Sequence, residues 1–225
     1  MRQFSPTQIV LGGCLLAFGA SFLNTGFILT AGTSVSHLTG DIARIGSGLS
    51  TIARGDGFQI VNVAIATLGF IFGATVSGFL LHHPTIEITK PYGRVLSLLG
   101  GFLVIAHFFL PAYPLVAIAI TSAVCGAQNA LASRYRGVVL RTTHLTGIFT
   151  DFGIHLGMKL RGHRIEAWAL WIPICITFSF LVGAVTSSAL IFHDARNWIL
   201  IAGIGYFAGG ILWSLYKSFV LGRRE

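Results

Sequence analysis

The chain has 225 residues, 54% of them hydrophobic and 10% charged, with a formal net charge of +8. Soluble domains carry about 25% charged residues, so a compact water-soluble fold is excluded and lipid is the natural solvent. The Lys and Arg excess sits in links between apolar stretches; this suits anionic headgroups and sets nucleic acid aside as a partner.

The first apolar stretch runs Gln8–Thr30. Arg2 ahead of it invites a reading as a cleaved signal, but the stretch exceeds the roughly 7–15 residues of such a segment. Its Gly19-Ala20 also recurs as Gly126-Ala127, 107 residues later. It is therefore retained as a first membrane span. Next comes His37-Leu38-Thr39-Gly40, followed by Leu38, Ile42, Ile45, Leu49 and Ile52, an apolar stripe spaced by fours and threes. Such spacing predicts a one-sided helix too short to cross a bilayer, suited to an interfacial or a re-entrant position.

Two further spans follow, Phe58–Leu81 and Val95–Leu110, with a tight turn at Pro111-Ala112-Tyr113-Pro114. A fourth span is predicted at Pro114–Ser133. The tetrapeptide then returns as His144-Leu145-Thr146-Gly147, again with a stripe behind it: Leu145, Phe149, Phe152, Leu156 and Leu160. Spans at Ala167–Phe192 and Trp198–Tyr216 complete the chain, and none of the six contains Asp, Glu, Lys or Arg.

Ile71–Ser77 resembles Leu181–Ser187, so the likeness continues beyond the tetrapeptide. The expected architecture is a single all-α membrane domain over 1–225. It has six transmembrane helices in two units, 8–110 and 114–218, plus two short amphipathic helices. Three spans per unit is an odd number, so the second unit should enter the membrane inverted relative to the first. With the N-terminus inside, twelve of the fifteen Lys and Arg fall on the inner side, which predicts both termini in the cytoplasm.

The repeated motif is the candidate site. Thr39 and Thr146 are good N-cap residues, and Gly40 and Gly147 permit a sharp turn or close approach. A helix start carries about half a positive charge. Two such starts related by a pseudo-twofold axis suit an anionic or carbonyl-bearing ligand, to which His37 and His144 could donate. The second copy adds Arg141, Thr143 and Asp151, with His155 and Lys159 in line with Asp151 on one helical face. Asp151 is positioned to orient His155 or neutralise Arg141. The first copy supplies Asp41, and Asn24, Gln128 and Asn129 bring amides to similar depth in the opening span of each unit. The alternatives are that the motifs only start interfacial helices, that the polar face of the second helix is solvated, and that the amides hold helices together.

Cys14, Cys125 and Cys175 lie apart inside spans, without zinc spacing. No hydrolase, nucleotide or metalloprotease signature occurs in a plausible context, so no cofactor, metal or catalytic residue is assigned. The partners expected are the lipid bilayer and an unidentified small molecule or ion. Small-residue faces leave self-association open without fixing a number.

The strings Ser21-Phe22-Leu23-Asn24, Val35-Ser36-His37-Leu38-Thr39-Gly40, Gly126-Ala127-Gln128-Asn129-Ala130 and Arg141-Thr142-Thr143-His144-Leu145-Thr146-Gly147 resemble the YoaK-like family over nearly the whole chain. These are bacterial multi-pass membrane proteins of unknown function. The resemblance implies a bacterial inner-membrane location and supplies no activity. The residues themselves favour a small-solute transporter or channel with a pseudo-symmetric site between the motifs. A non-transporting scaffold binding protein or anionic lipid is the alternative.

Overall fold

The structure is a computed structural model that describes residues 6–49, 57–81, 91–131, 134–135, 138–139, 143–193 and 196–222. Arg141 and Ile52, singled out in the sequence, lie outside these residues. Among the described residues there are eight helices: α1 Pro6–Ala31, α2 Leu38–Leu49, α3 Gly57–Leu81, α4 Tyr92–Phe109, α5 Pro114–Leu131, α6 Leu145–Leu160, α7 Trp168–Phe192 and α8 Trp198–Gly222. All but α2 and α6 are long and apolar enough to cross a membrane, at about 20 residues per crossing. The chain is therefore a multi-pass membrane protein in contact with lipid. The expected turn is present: Tyr113 N–H donates to Phe109 at 2.7 Å, and Pro114 opens α5, where its missing N–H costs no helical bond. Among the described residues the one departure from an all-helical chain is a two-residue antiparallel pairing in the fifth link, Arg134–Tyr135 (β1) with Val138–Val139 (β2).

Three helix pairs dominate the packing: α3 with α5, α1 with α7, and α4 with α8. Each joins a helix of the first unit to one of the second. Their contacts give their directions. Gly13 faces Ile176, Ser179 Oγ donates to the Cys14 carbonyl at 2.7 Å, and Gly183 faces Phe18. Residue numbers rise together, so α1 and α7 run parallel. Gly69 against Ala119 and Gly73 against Ala123 make α3 and α5 parallel as well. On α4 and α8 the order reverses, with Gly93 on Gly210, Ser97 on Phe207 and Gly100 on Gly203. Helix α8 also runs against α1, with Gln8 near Tyr216, Gly19 near Tyr206 and Gly26 near Trp198. Hence α1, α4 and α7 point one way and α3, α5 and α8 the other.

Glycine makes these crossings close. In lipid there is no hydrophobic drive between apolar helices, so association depends on van der Waals contact and hydrogen bonds. At Gly73 a Cβ would strike the backbone of Ala123, at Gly126 that of Phe70, and at Gly183 that of Phe18. The small-residue faces expected to pack do so. The main core gathers Phe22, Leu23, Phe27 and Val35 with Leu103, Ile118, Val124 and Ile199.

Candidate functional site

The six residues between α1 and α2 are pinned by one amide. Asn24 Oδ1 accepts from Ser34 Oγ at 2.7 Å and from the backbone N–H groups of Val35 and Ser36, each at 3.1 Å. The same device recurs in simpler form in the second unit, where Thr143 Oγ1 donates to Asn129 Oδ1 at 3.1 Å. Sequence reasoning assigned these amides either to holding helices together or to lining a path. Instead, each fastens the segment just ahead of its His-Leu-Thr-Gly motif to the end of its own span.

The pinned segment sets the start of α2. Ser34 Oγ accepts from the His37 N–H at 2.7 Å, and Asp41 Oδ2 accepts from the Ser34 N–H at 2.8 Å. Both helices begin at the leucine of the motif, Leu38 and Leu145. The expectation that Thr39 and Thr146 are N-caps is therefore corrected: each is the second residue of its helix, and His144 holds the cap position of α6. Thr146 Oγ1 instead lies 3.2 Å from Nδ1 of His144.

His37 Nδ1 is 2.9 Å from Ser36 Oγ. The same ring meets the Thr143 backbone carbonyl and lies near enough to His144 for the two charges to repel. Its edge packs on Phe180, with ring centroids 5.1 Å apart. Phe180 is the central residue of α7, twelve residues from either end, or about 18 Å at 1.5 Å per residue. The His37 ring thus lies beside the middle of α7. Burial and His144 together hold the His37 imidazole below its ordinary titration range, against the opposing pull of the Thr143 carbonyl.

The two short helices bury different kinds of residue. On α2, Asp41 is buried while Ile42 is 55% exposed. The Asp41 carboxyl is pushed up by burial, and the Ser34 N–H and Arg44, 3.7 Å away, work against that shift. On α6, Ile148 is buried beside Ala17, Ile172 and Ile176. Phe149, Leu156 and Leu160 face outward, and Asp151 and His155 are half-buried. Ile42, Phe149, Leu156 and Leu160 of the predicted stripes are exposed, while Leu38, Ile45, Leu145 and Phe152 are half-buried.

Other expected partners are not brought together. Asp151 makes no hydrogen bond with His155 among the described residues, and Nδ1 of His155 is buried without a partner. Gln128 serves helix packing: its Nε2 donates to the Leu16 carbonyl at 2.6 Å, and its Oε1 accepts from the Tyr206 hydroxyl. Thr39, Gly40, His144 and Thr146 are exposed at the two turns, and Gly147 lies beneath the His144 ring. Sequence reasoning missed Ser34, Ser36 and Phe180. The serines were legible only as neighbours of the motif, and Phe180 carried no signal.

No curated protein and no solved structure matches this chain. A family model described as a protein of unknown function, DUF1275, matches residues 12–212, and the chain, six long apolar helices included, belongs to that family.

Proposed function

We propose that this protein is a small-solute transporter or channel of the bacterial inner membrane, with its pathway passing the junction of the two His-Leu-Thr-Gly turns. One observation supports the reading: the His37 ring, one residue ahead of α2, packs on Phe180, midway along α7. Irregular backbone at that depth is stable only when buried in protein or lining a polar cavity. The buried Asp41 at the start of α2 favours a path that passes that turn. The site residues are His37, Thr39, Gly40, Asp41, His144, Thr146 and Gly147, with Asn24, Asn129 and Thr143 positioning them. The spans themselves contain no charged residue through their centres, which favours a channel or facilitated carrier over a proton relay along the spans.

An inverted three-plus-three repeat is the simplest account of the helix directions. Exchanging the units converts the α1 and α7 pair into the α5 and α3 pair and leaves α4 with α8. Under this exchange every span changes direction. The positive charge bias favours both termini in the cytoplasm, and the YoaK-like resemblance supports a bacterial inner membrane. Reporter fusions after Leu49 and after Arg161 should fall in opposite compartments; the same compartment for both would overturn the inversion.

The transport reading is tested in proteoliposomes by solute uptake, screening small anions, cations and neutral solutes. A solute that enters with the native chain should lose about 90% or more of its flux in the His37→Ala and His144→Ala proteins, an interaction loss of about 1.4 kcal/mol or greater at the barrier. Flux unchanged in both, and in Thr39→Ala and Thr146→Ala, would remove the pathway from this junction.

A further inference from the structure

We infer that the two halves of the chain, α1 to α4 and α5 to α8, are interlocked partners: each span takes its main helix partner from the other half, and the assembly holds without the peptide link between them. The pairings are one-sided. Helix α3 lies on α5, α1 on α7 and α4 on α8, and the next span pairs, α4 with α5, α1 with α8 and α1 with α5, also cross between the halves. Among the described residues no two of α1, α3 and α4 pack closely together, and in the second half α7 meets α8 only slightly. What each half keeps to itself is its short helix on the following span, α2 on α3 and α6 on α7.

The side chains agree with the backbone. Each described span glycine whose Cβ would come within 4 Å of another span meets a span of the opposite half. Gly73 of α3 faces Ala123 of α5, Gly100 of α4 faces Gly203 of α8, and Gly183 of α7 faces Phe18 of α1. Side-chain hydrogen bonds cross the same seams. Ser179 Oγ donates to the Cys14 carbonyl at 2.7 Å, Ser97 Oγ to the Phe207 carbonyl at 3.1 Å, and Gln128 Nε2 to the Leu16 carbonyl at 2.6 Å. The Tyr206 bond to Gln128 stays within the second half.

In lipid the cohesion of a helix bundle resides in close contacts and hydrogen bonds of this kind. Here they lie between the halves, so neither half has a bundle of its own to fall back on. Two self-contained three-span domains would show the opposite pattern, with the tight crossings inside each half. The covalent link is the turn Pro111-Ala112-Tyr113-Pro114, exposed at every residue. It supplies a high effective concentration of one half for the other, and cutting it removes no span-to-span contact. The interlock concerns how the halves hold together, so it stands or falls apart from the transport reading.

A protease recognition sequence inserted between Ala112 and Tyr113 lets the folded, purified chain be cut in mild detergent. The two fragments should stay together in equal amounts through gel filtration, and thermal unfolding should remain a single transition. Unfolding of the cut protein also separates two chains. A tenfold dilution at constant detergent should therefore lower its midpoint by about 3–5 °C, with the midpoint of the uncut protein unmoved. Fragments that part in mild detergent, two separate transitions, or a cut-protein midpoint that ignores dilution would each overturn the interlock. The unmodified chain provides a second measure by hydrogen exchange in rising denaturant. Amides of α1, α3 and α4 should lose protection together with those of α5, α7 and α8, as one cooperative unit. Loss of protection in one half while the other keeps its own would reject the proposal.

Discussion

Gly73→Ala is expected to destabilise the protein by about 3 kcal/mol, the upper end of the usual cost of overpacking. The added methyl would lie 2.6 Å from the Ala123 carbonyl carbon and 2.8 Å from its Cα. These are backbone atoms in the middle of α5 and cannot swing aside as a side chain could. Gly126→Ala should behave alike from the opposite side of the crossing, where Phe70 Cα stands 2.9 Å from the new Cβ. Gly78, one turn further along α3, meets nothing within 4 Å. There alanine should be neutral or slightly stabilising, because it removes the helix penalty of glycine. Thermal unfolding of the purified proteins in one detergent measures all three. Equal transition temperatures for Gly73→Ala and Gly78→Ala would mean that α3 and α5 do not meet as described.

Asn24→Ala is expected to cost about 3 kcal/mol and to abolish any flux through the junction. Its Oδ1 is the shared acceptor for Ser34 Oγ, Val35 N–H and Ser36 N–H, all buried. Leaving a buried donor unsatisfied costs about 1–3 kcal/mol, and two of these donors are backbone groups with no rotamer to escape through. The loss should exceed that of Asn129→Ala, in which a single hydrogen bond to Thr143 disappears, for about 1 kcal/mol. The structural signature is local. Hydrogen exchange should quicken at residues 34–37 in Asn24→Ala while the α4 and α8 pair stays protected. Uniform exchange across the chain, or equal costs for the two asparagines, would contradict this account of the anchor.

The six crossings were legible because lipid imposes a blunt rule: about 20 apolar residues without charge per span. The starts at Pro114, Trp168 and Trp198 agree with the sequence reading to within a residue. Pairing was not legible. Gly73 and Gly183 announce close contact but not the partner. Nothing local says that Gly73 meets Ala123 of α5 while Gly183 meets Phe18 of α1. The motif was found by its recurrence, yet its helix start was misread by two residues. Threonine's capping preference is a local rule, and here the start is set by Asn24 and Ser34 through bonds that skip along the chain. The stripes on α2 and α6 were also correctly seen as one-sided. Periodicity reports that a helix has an apolar face, but not whether that face is covered by protein, and Ile42 and Leu160 are exposed. Gln128 was noticed as a polar residue in a span, while its partners, Leu16 and Tyr206, are far away in sequence.

The depth of His37 has an electrical consequence. An imidazole beside the middle residue of α7 stands about halfway down the voltage drop of an energised membrane. A full crossing is worth about 2.3 kcal/mol per charge at 100 mV, so a cation drawn from one surface to this point gains or loses about 1.2 kcal/mol. For a proton reaching the ring from one side only, that equals roughly 0.8 of a pH unit, and its occupancy would then follow membrane potential as well as acidity.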